Sequence, residues 1–209
     1  MKKMFLVLFL LFGMNLSADL VSDGYKEFKS GNYRAAIPFW EQSCNEGNID
    51  ACYNLAYIYA NGKGVRHNEK RAAQLYQRGC DAGDTKACSN LGTIYENGVG
   101  GIRQNFYKSS RLYAKACNAG DVNGCYNLGV AYYRGRGVYK DYKIASELYA
   151  DTCEKGKIAG CYYLAKMYNK GKGIAQNKSL AKNYFLKACK MGSSGSCSKF
   201  RRLRDEGVQ

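Results

Sequence analysis

The sequence predicts an all-α protein, an α/α solenoid of disulfide-stapled helical hairpins, and three observations carry that expectation. All ten cysteines fall in five pairs whose members are eight residues apart: Cys44 and Cys52, Cys80 and Cys88, Cys117 and Cys125, Cys153 and Cys161, Cys189 and Cys197. The second members recur at intervals of 36, 37, 36 and 36 residues, the period of stacked hairpins that bury their apolar faces only against neighbours. After each of the first four, apolar and small residues return at offsets of 0, 3, 4 and 7, one face of a helix.

A glycine stands three residues after the first cysteine of every pair: Gly47, Gly83, Gly120, Gly156 and Gly192. Eight residues of unbroken helix would separate the cysteines by about 12 Å, beyond the Cα spacing of roughly 4.4–6.8 Å that a disulfide tolerates. Glycine can take the left-handed conformation that ends a helix and reverses the chain. Each pair is therefore expected to close on itself across a helix end, a tight turn and the next helix start. Zinc sites bring two cysteines within two to four residues of each other, a spacing absent here. Neither a metal site nor a cofactor is expected.

Disulfides belong to oxidising compartments, and the amino terminus agrees. Lys2 and Lys3 precede an apolar run over 4–14 and a cleavage region over 15–18, too short for a membrane span and right for a signal peptide. Cleavage is expected near Ala18, leaving a secreted or periplasmic chain of residues 19–209, although Leu16 is not the small residue preferred there. Losing Lys2 and Lys3 lowers the formal charge from +15 to +13. So basic a chain suits acidic glycans or anionic surfaces; a nucleic-acid partner is not expected, nor is embedding in a membrane.

Residues 19–48 read as a degenerate first hairpin, its second helix marked by Ala36, Trp40 and Cys44. Pro38, the only proline, should bend that helix or delay its start. Four repeats follow over about 49–192. Their first helices carry Leu55, Leu91, Leu128 and Leu164; then Ala56, Gly92, Gly129 and Ala165; then Tyr59, Tyr95, Tyr132 and Tyr168. Glycine-rich turns come next, beginning at Asn61, Asn97, Arg134 and Lys170. Asn68, Asn105, Asp141 and Asn177 stand where a helix cap is wanted. The second helices repeat a small residue, an aromatic four on, and a cysteine four further, as in Ala72, Tyr76 and Cys80. Residues 193–209 open at Cys197's turn and end in a strongly charged run, as a polar capping helix.

The Leu-(Gly/Ala)-x2-Tyr, Gly-x-Gly-(Val/Ile) and Ala-x3-aromatic elements resemble the Sel-one-like repeat, a relative of the tetratricopeptide repeat. With paired cysteines eight apart and a 36-residue unit, the chain is similar to the Helicobacter cysteine-rich protein (Hcp) family over residues 19–209. The resemblance implies a right-handed superhelix with the first helices lining a concave surface. It implies two activities: a binding platform or adaptor, or the penicillin-binding and β-lactamase label of the cysteine-rich family.

The residues favour the platform. A serine β-lactamase needs Ser-x-x-Lys with Ser-Asp-Asn and Lys-Thr-Gly elements. Ser-x-x-Lys occurs at Ser179/Lys182 and Ser196/Lys199, the other two elements do not occur, and His67 is the only histidine. No catalytic residue is assigned. On each first helix, offsets 2, 5 and 9 point almost opposite the core offsets. They give Asn54, Tyr57 and Asn61; Asn90, Thr93 and Asn97; Asn127, Val130 and Arg134; Tyr163, Lys166 and Lys170. A ladder of asparagine amides, each donor and acceptor, could grip an extended peptide backbone. Arg134, Lys166 and Lys170 would add a preference for carboxylates. The expected partner is a protein or peptide of host or cell envelope, with a β-lactam or peptidoglycan fragment as the alternative ligand.

Overall fold

A computed structural model describes residues 19–209; the expected signal peptide over 1–18 lies outside the described residues. Among them the regular elements are all helices. They are α1 (19–29), α2 (Tyr33–Asn45), α3 (Ile49–Asn61), α4 (Glu69–Asp81), α5 (Thr85–Asn97), α6 (Phe106–Asn118), α7 (Val122–Arg134), α8 (Tyr142–Glu154), α9 (Ile158–Lys170), α10 (Lys178–Lys190) and α11 (Ser194–Asp205). The chain divides into two compact units, the first ending at Gln104 and carrying α1 to α5, the second running from Asn105 and carrying α6 to α11. Each is a run of antiparallel hairpins, all-α and of the α/α solenoid class.

The turn that joins each second helix to the next first helix is the same five times. Its glycine takes φ between 85° and 100°. The N–H of the following residue then reaches back to the carbonyl five residues earlier, as from Asn48 to Ser43 at 3.0 Å and from Lys157 to Thr152 at 2.8 Å. This is the Schellman closure of a helix end. It brings the paired cysteines to Cα separations of 4.4–4.7 Å, and the five local disulfides form: Cys44–Cys52, Cys80–Cys88, Cys117–Cys125, Cys153–Cys161 and Cys189–Cys197. On the far side of the turn Asn48, Asp84, Asp121 and Ser193 accept from backbone N–H groups of the first turn of α3, α5, α7 and α11. Asn68, Asn105, Asp141 and Asn177 do the same for α4, α6, α8 and α10.

Pro38 does not delay its helix. α2 starts at Tyr33, one full turn before the proline, with the amides of Ala35 and Ala36 already bonded to Asn32. Burial of Ala36 and Trp40 holds the turn that the missing proline N–H would otherwise weaken.

The second-helix stripe is the core: Ala36, Trp40, Ala72, Tyr76, Tyr113, Ala145, Tyr149, Ala181 and Phe185 are all buried. On the first helices the buried surface is wider than offsets 0, 3, 4 and 7. Ala51, Ile58, Ala87, Ile94, Ala131 and Met167, at offsets one before the cysteine and six after it, are buried as well. The reason is sandwiching: α3 packs against both α2 and α4, and α9 against both α8 and α10. A helix gripped from two sides buries more than one stripe.

The Gly-x-Gly loops dock each repeat on the one before it. A Cβ on Gly64 would lie 2.7 Å from the Arg34 backbone nitrogen. A Cβ on Gly100, Gly137 or Gly173 would collide with Glu69, Phe106 or Tyr142, which open the preceding second helix. The residue between the glycines is a cation in three of the four loops. Lys63 sits 4.8–5.3 Å from the ring centroids of Phe28, Tyr33 and Tyr57. Arg136 lies over Phe106, and Lys172 over Tyr133 and Tyr142 at 4.7 and 5.1 Å. These cation–π contacts tie consecutive hairpins together. The Tyr133 and Tyr142 side chains, which favour its charged form, hold the Lys172 ammonium above its ordinary pKa.

Candidate functional site

The first-helix face splits by offset. At offset nine Asn61, Asn97, Arg134 and Lys170 are all exposed, and at offset five Thr93 is exposed while Tyr57, Val130 and Lys166 are half-buried. At offset two the expectation of a free asparagine ladder is corrected. Asn54 is only 9 % exposed, because Tyr25 of α1 lies over it and donates its hydroxyl to Oδ1 at 3.3 Å. The Asn54 Nδ2 is buried with no acceptor. Asn90, half-buried, donates to the Tyr53 hydroxyl at 3.5 Å, and Asn127 and Tyr163 are also half-buried. Asn61 turns back on its own helix, donating to the Tyr57 carbonyl at 2.8 Å, and the Thr93 hydroxyl likewise meets Ser89. The Asn54 and Asn90 amides, which helical-wheel geometry places away from the core, meet tyrosines of the preceding first helix.

The face opens at the last hairpin. Between α9, α10 and α11 lies a pocket of about 400 Å³ whose wall includes Lys166 and Lys170. Phe185, Tyr162 and Leu203 are its apolar part, and Lys178, Lys199, Arg202 and Glu206 complete the charged part. Phe185 and Leu203 are buried, and Tyr162 meets the Phe185 ring edge-on at 5.9 Å. Lys166 stands over the rings of Tyr162 and Tyr163 at 5.5 and 5.3 Å. Glu206 is the one acid against five cations. It accepts from Arg202 Nε at 2.9 Å and lies 3.7 Å from Lys178 Nζ. The Arg202 hydrogen bond, with smaller help from Lys178, holds the Glu206 carboxyl below its ordinary pKa.

Sequence reasoning reached Lys166 and Lys170 and missed Lys199, Arg202 and Glu206. The signal was present. Counting from Cys197, these three stand at offsets 2, 5 and 9, the positions that define the face on the four earlier helices. Reading the charged run as a cap only left the register unextended. Tyr162 and Lys178 could not be found that way, since they enter from offset 1 and from the start of a second helix.

The two Ser-x-x-Lys matches form no nucleophile pair. Ser196 is fully buried and its hydroxyl bonds Ser193 Oγ at 2.8 Å. Lys182 donates to the Val208 carbonyl at 2.6 Å, while Ser179 is exposed in the first turn of α10. A buried, capped hydroxyl and a lysine already spent on a carbonyl lack the adjacent base that activates a serine. His67 is exposed and pairs with Glu69 at 3.1 Å. Among the described residues no group of three or more His, Cys, Asp or Glu side chains is placed to hold a metal ion.

Stapled hairpins in register, with one polar face left accessible, define a disulfide-rich α/α repeat protein. Four Sel1 repeats match at residues 49–84, 85–121, 122–157 and 158–193, so the chain belongs to the Sel1 repeat family. A protective antigen of uropathogenic Escherichia coli with an SLR fold superposes with a TM-score of 0.87 at 26 % identity, covering 92 % of this chain and 42 % of that one. A Sel1 repeat protein of Oxalobacter formigenes gives 0.79 at 25 % identity, covering 86 % of this chain and 75 % of that one. The Helicobacter pylori protein HcpE, whose name carries a provisional beta-lactamase label, is 36 % identical over 64 residues, which is 27 % of this chain and 18 % of HcpE. The match thus spans less than a fifth of that relative's length. Five disulfides fit an oxidising compartment, and among the described residues no helix is long and apolar enough to cross a membrane.

Proposed function

We propose that this protein is an exported binding scaffold that receives a protein or peptide along the face of its first helices. One observation carries the reading: offset nine is exposed at all four repeats, on α3, α5, α7 and α9, while the opposite side of each helix is buried. Within each unit, a repeated, solvent-facing register on a packed core is what an extended ligand can read one repeat at a time. Sel1 membership supports it, because repeat arrays of this class offer extended binding surfaces. The partly covered asparagines narrow the contact set to Asn61, Asn97, Arg134, Lys166 and Lys170, so the ligand is selected by side-chain charge more than by backbone grip. The basic charge of the chain draws acidic partners and acidic glycans by the same means.

The test is selection from a peptide library displayed on a neutral carrier, against the oxidised chain. Acidic sequences are expected to be enriched, and a variant with Arg134→Glu, Lys166→Glu and Lys170→Glu to lose them. Enrichment that survives this triple change, with helicity intact, would reject the face. β-Lactam hydrolysis, the reading suggested by HcpE's name, predicts turnover of a chromogenic cephalosporin that Ser179→Ala or Ser196→Ala abolishes; no such turnover is expected.

A further inference from the structure

The pocket between α9, α10 and α11 carries more information than a patch of exposed lysines. Its cations are not equivalent. Arg202 and Lys178 are engaged with Glu206. Lys166, Lys170 and Lys199 have no carboxylate partner among the described residues, although all three line the same cavity of about 400 Å³. Like charges gathered without counter-charges repel one another, and an anion that enters relieves the repulsion. The cavity lies at the small end of the range for ligand sites, room for one or two residues of a peptide.

The apolar part tells what the anion is attached to. Tyr162 and Phe185 meet edge to face at 5.9 Å, with Leu203 beside them, directly against the cations. A group that satisfies both needs a negative charge and a flat or branched apolar side chain a few ångströms apart. Glu206 then supplies the chemistry of the anion. The protein's own carboxylate already sits in this wall, bonded to Arg202 Nε at 2.9 Å, so the wall accepts that functional group in a charge-assisted hydrogen bond.

We propose that this pocket is a receptor for a carboxylate borne by an aromatic or branched residue, with Glu206 as an internal competitor for Arg202 and Lys178. In resting form Glu206 holds those two cations, while Lys166, Lys170 and Lys199 keep the cavity attractive to a second carboxylate. Arrival of the ligand shares or displaces the Glu206 interaction, and the apolar group packs on Tyr162, the half-buried ring that the buried Phe185 and Leu203 support from behind. The proposal rests on the scaffold reading above only in taking the carrier to be a peptide. The carboxylate has two sources there, a free carboxy terminus or an acidic side chain, and the chemistry at the pocket is the same.

The test uses the full oxidised chain and nuclear magnetic resonance titration of the Tyr162 and Phe185 rings. Three probes are an acetylated Ala-Ala-Phe peptide with a free carboxyl group, its carboxy-terminal amide, and an amidated Ala-Glu-Phe; benzoate is the small-molecule control. Saturable shifts with the free acid alone assign a carboxy terminus, and shifts with the glutamate amide as well assign acidic side chains. In either case Lys170→Ala with Lys199→Ala should weaken binding about tenfold, as two partly exposed charges allow. Glu206→Gln should tighten it by removing the competitor. Lys70→Ala, at an exposed lysine of the first unit, should leave it unchanged. Equal shifts with the neutral amide, or displacement by inorganic phosphate regardless of the phenylalanine, would overturn the proposal. Benzoate saturating the pocket while library-selected peptides bind nowhere would keep the pocket and reject the scaffold. Peptides held through Arg134 with the two rings unmoved by any probe would do the reverse.

Discussion

The α1–α3 pair near the start of the first unit and the α9–α11 pair at the end of the second use the same register for opposite ends. In the first pair the gap between consecutive first helices is filled. Tyr25 covers Asn54, Phe28 packs edge-on to Tyr57 at 6.2 Å, and Lys63 roofs the rings of Phe28, Tyr33 and Tyr57. In the second pair Lys166 faces Lys199 and Arg202 across an open pocket. Aromatic rings gain by closing on each other and shedding water, whereas ammonium and guanidinium groups keep their hydration and hold the gap open. The offset assigns a position to the gap, and the side chain at that offset decides whether the gap becomes core or site.

Deleting one staple at each end gives the largest contrast. Cys44→Ser with Cys52→Ser should cost about 2.5 kcal/mol from loop entropy, and more from two hydroxyls placed where both cysteines are now 0–3 % exposed. Cys189→Ser with Cys197→Ser, at half-buried positions, should cost the loop term alone while loosening α11 and weakening carboxylate binding. Urea unfolding with hydrogen exchange reads both, and equal losses of stability would break the comparison.

Glycine substitutions come next. Gly64→Ala must place a Cβ 2.7 Å from Arg34 nitrogen at a φ of +70°, and should cost about 2–3 kcal/mol. At the other end Gly207→Ala meets nothing within 4 Å at a φ of +73°, so only the backbone strain of roughly 1–2 kcal/mol remains. Thermal melts that rank them the other way would mean the loop does not dock as described.

A smaller effect separates glue from site among the polar residues. Asn54→Ala removes the acceptor for the Tyr25 hydroxyl and should lower stability by about 1 kcal/mol, leaving ligand binding unchanged. Lys199→Ala should do the opposite: no loss of stability and weaker binding of the free-acid peptide. A loss of binding in Asn54→Ala with an unchanged melting temperature would restore the asparagine ladder.

The smallest is a pH effect confined to the end of α11. The Glu206 pKa is lowered, chiefly by its hydrogen bond from Arg202, so its contribution is present above the ordinary glutamate value of 4.5. It is lost as pH falls through the depressed folded-state value. Amide shifts of Gly207 and Val208 should therefore move on acidification below that value, and Glu206→Gln should abolish the movement. The first unit offers a contrast at the alkaline end. Burial raises the Tyr76 phenol, and stability from that group, full below about pH 10, is lost as pH rises toward its folded value.

What the sequence determined by itself is whatever closes within a few residues. The cysteine pairs, the turn glycines, the caps at Asn68, Asn105, Asp141 and Asn177, and the alanine–aromatic–cysteine stripes all act across eight residues or fewer, where backbone geometry leaves one solution. Helix periodicity likewise anticipates that Arg134 and Lys170 reach solvent, whereas Lys166 is half-buried. Tertiary structure decided everything that depends on the neighbouring repeat. Asn54 is buried by a tyrosine 29 residues away, the second glycine of each loop is required by a helix start some thirty residues earlier, and Ile58 and Met167 are buried because their helices are gripped from two sides. The carboxylate pocket is of this kind, since Lys166, Lys178 and Lys199 come from three helices. A helix carries its own period in its sequence, but which of its faces meets water is set by the side chains that another helix lays across it.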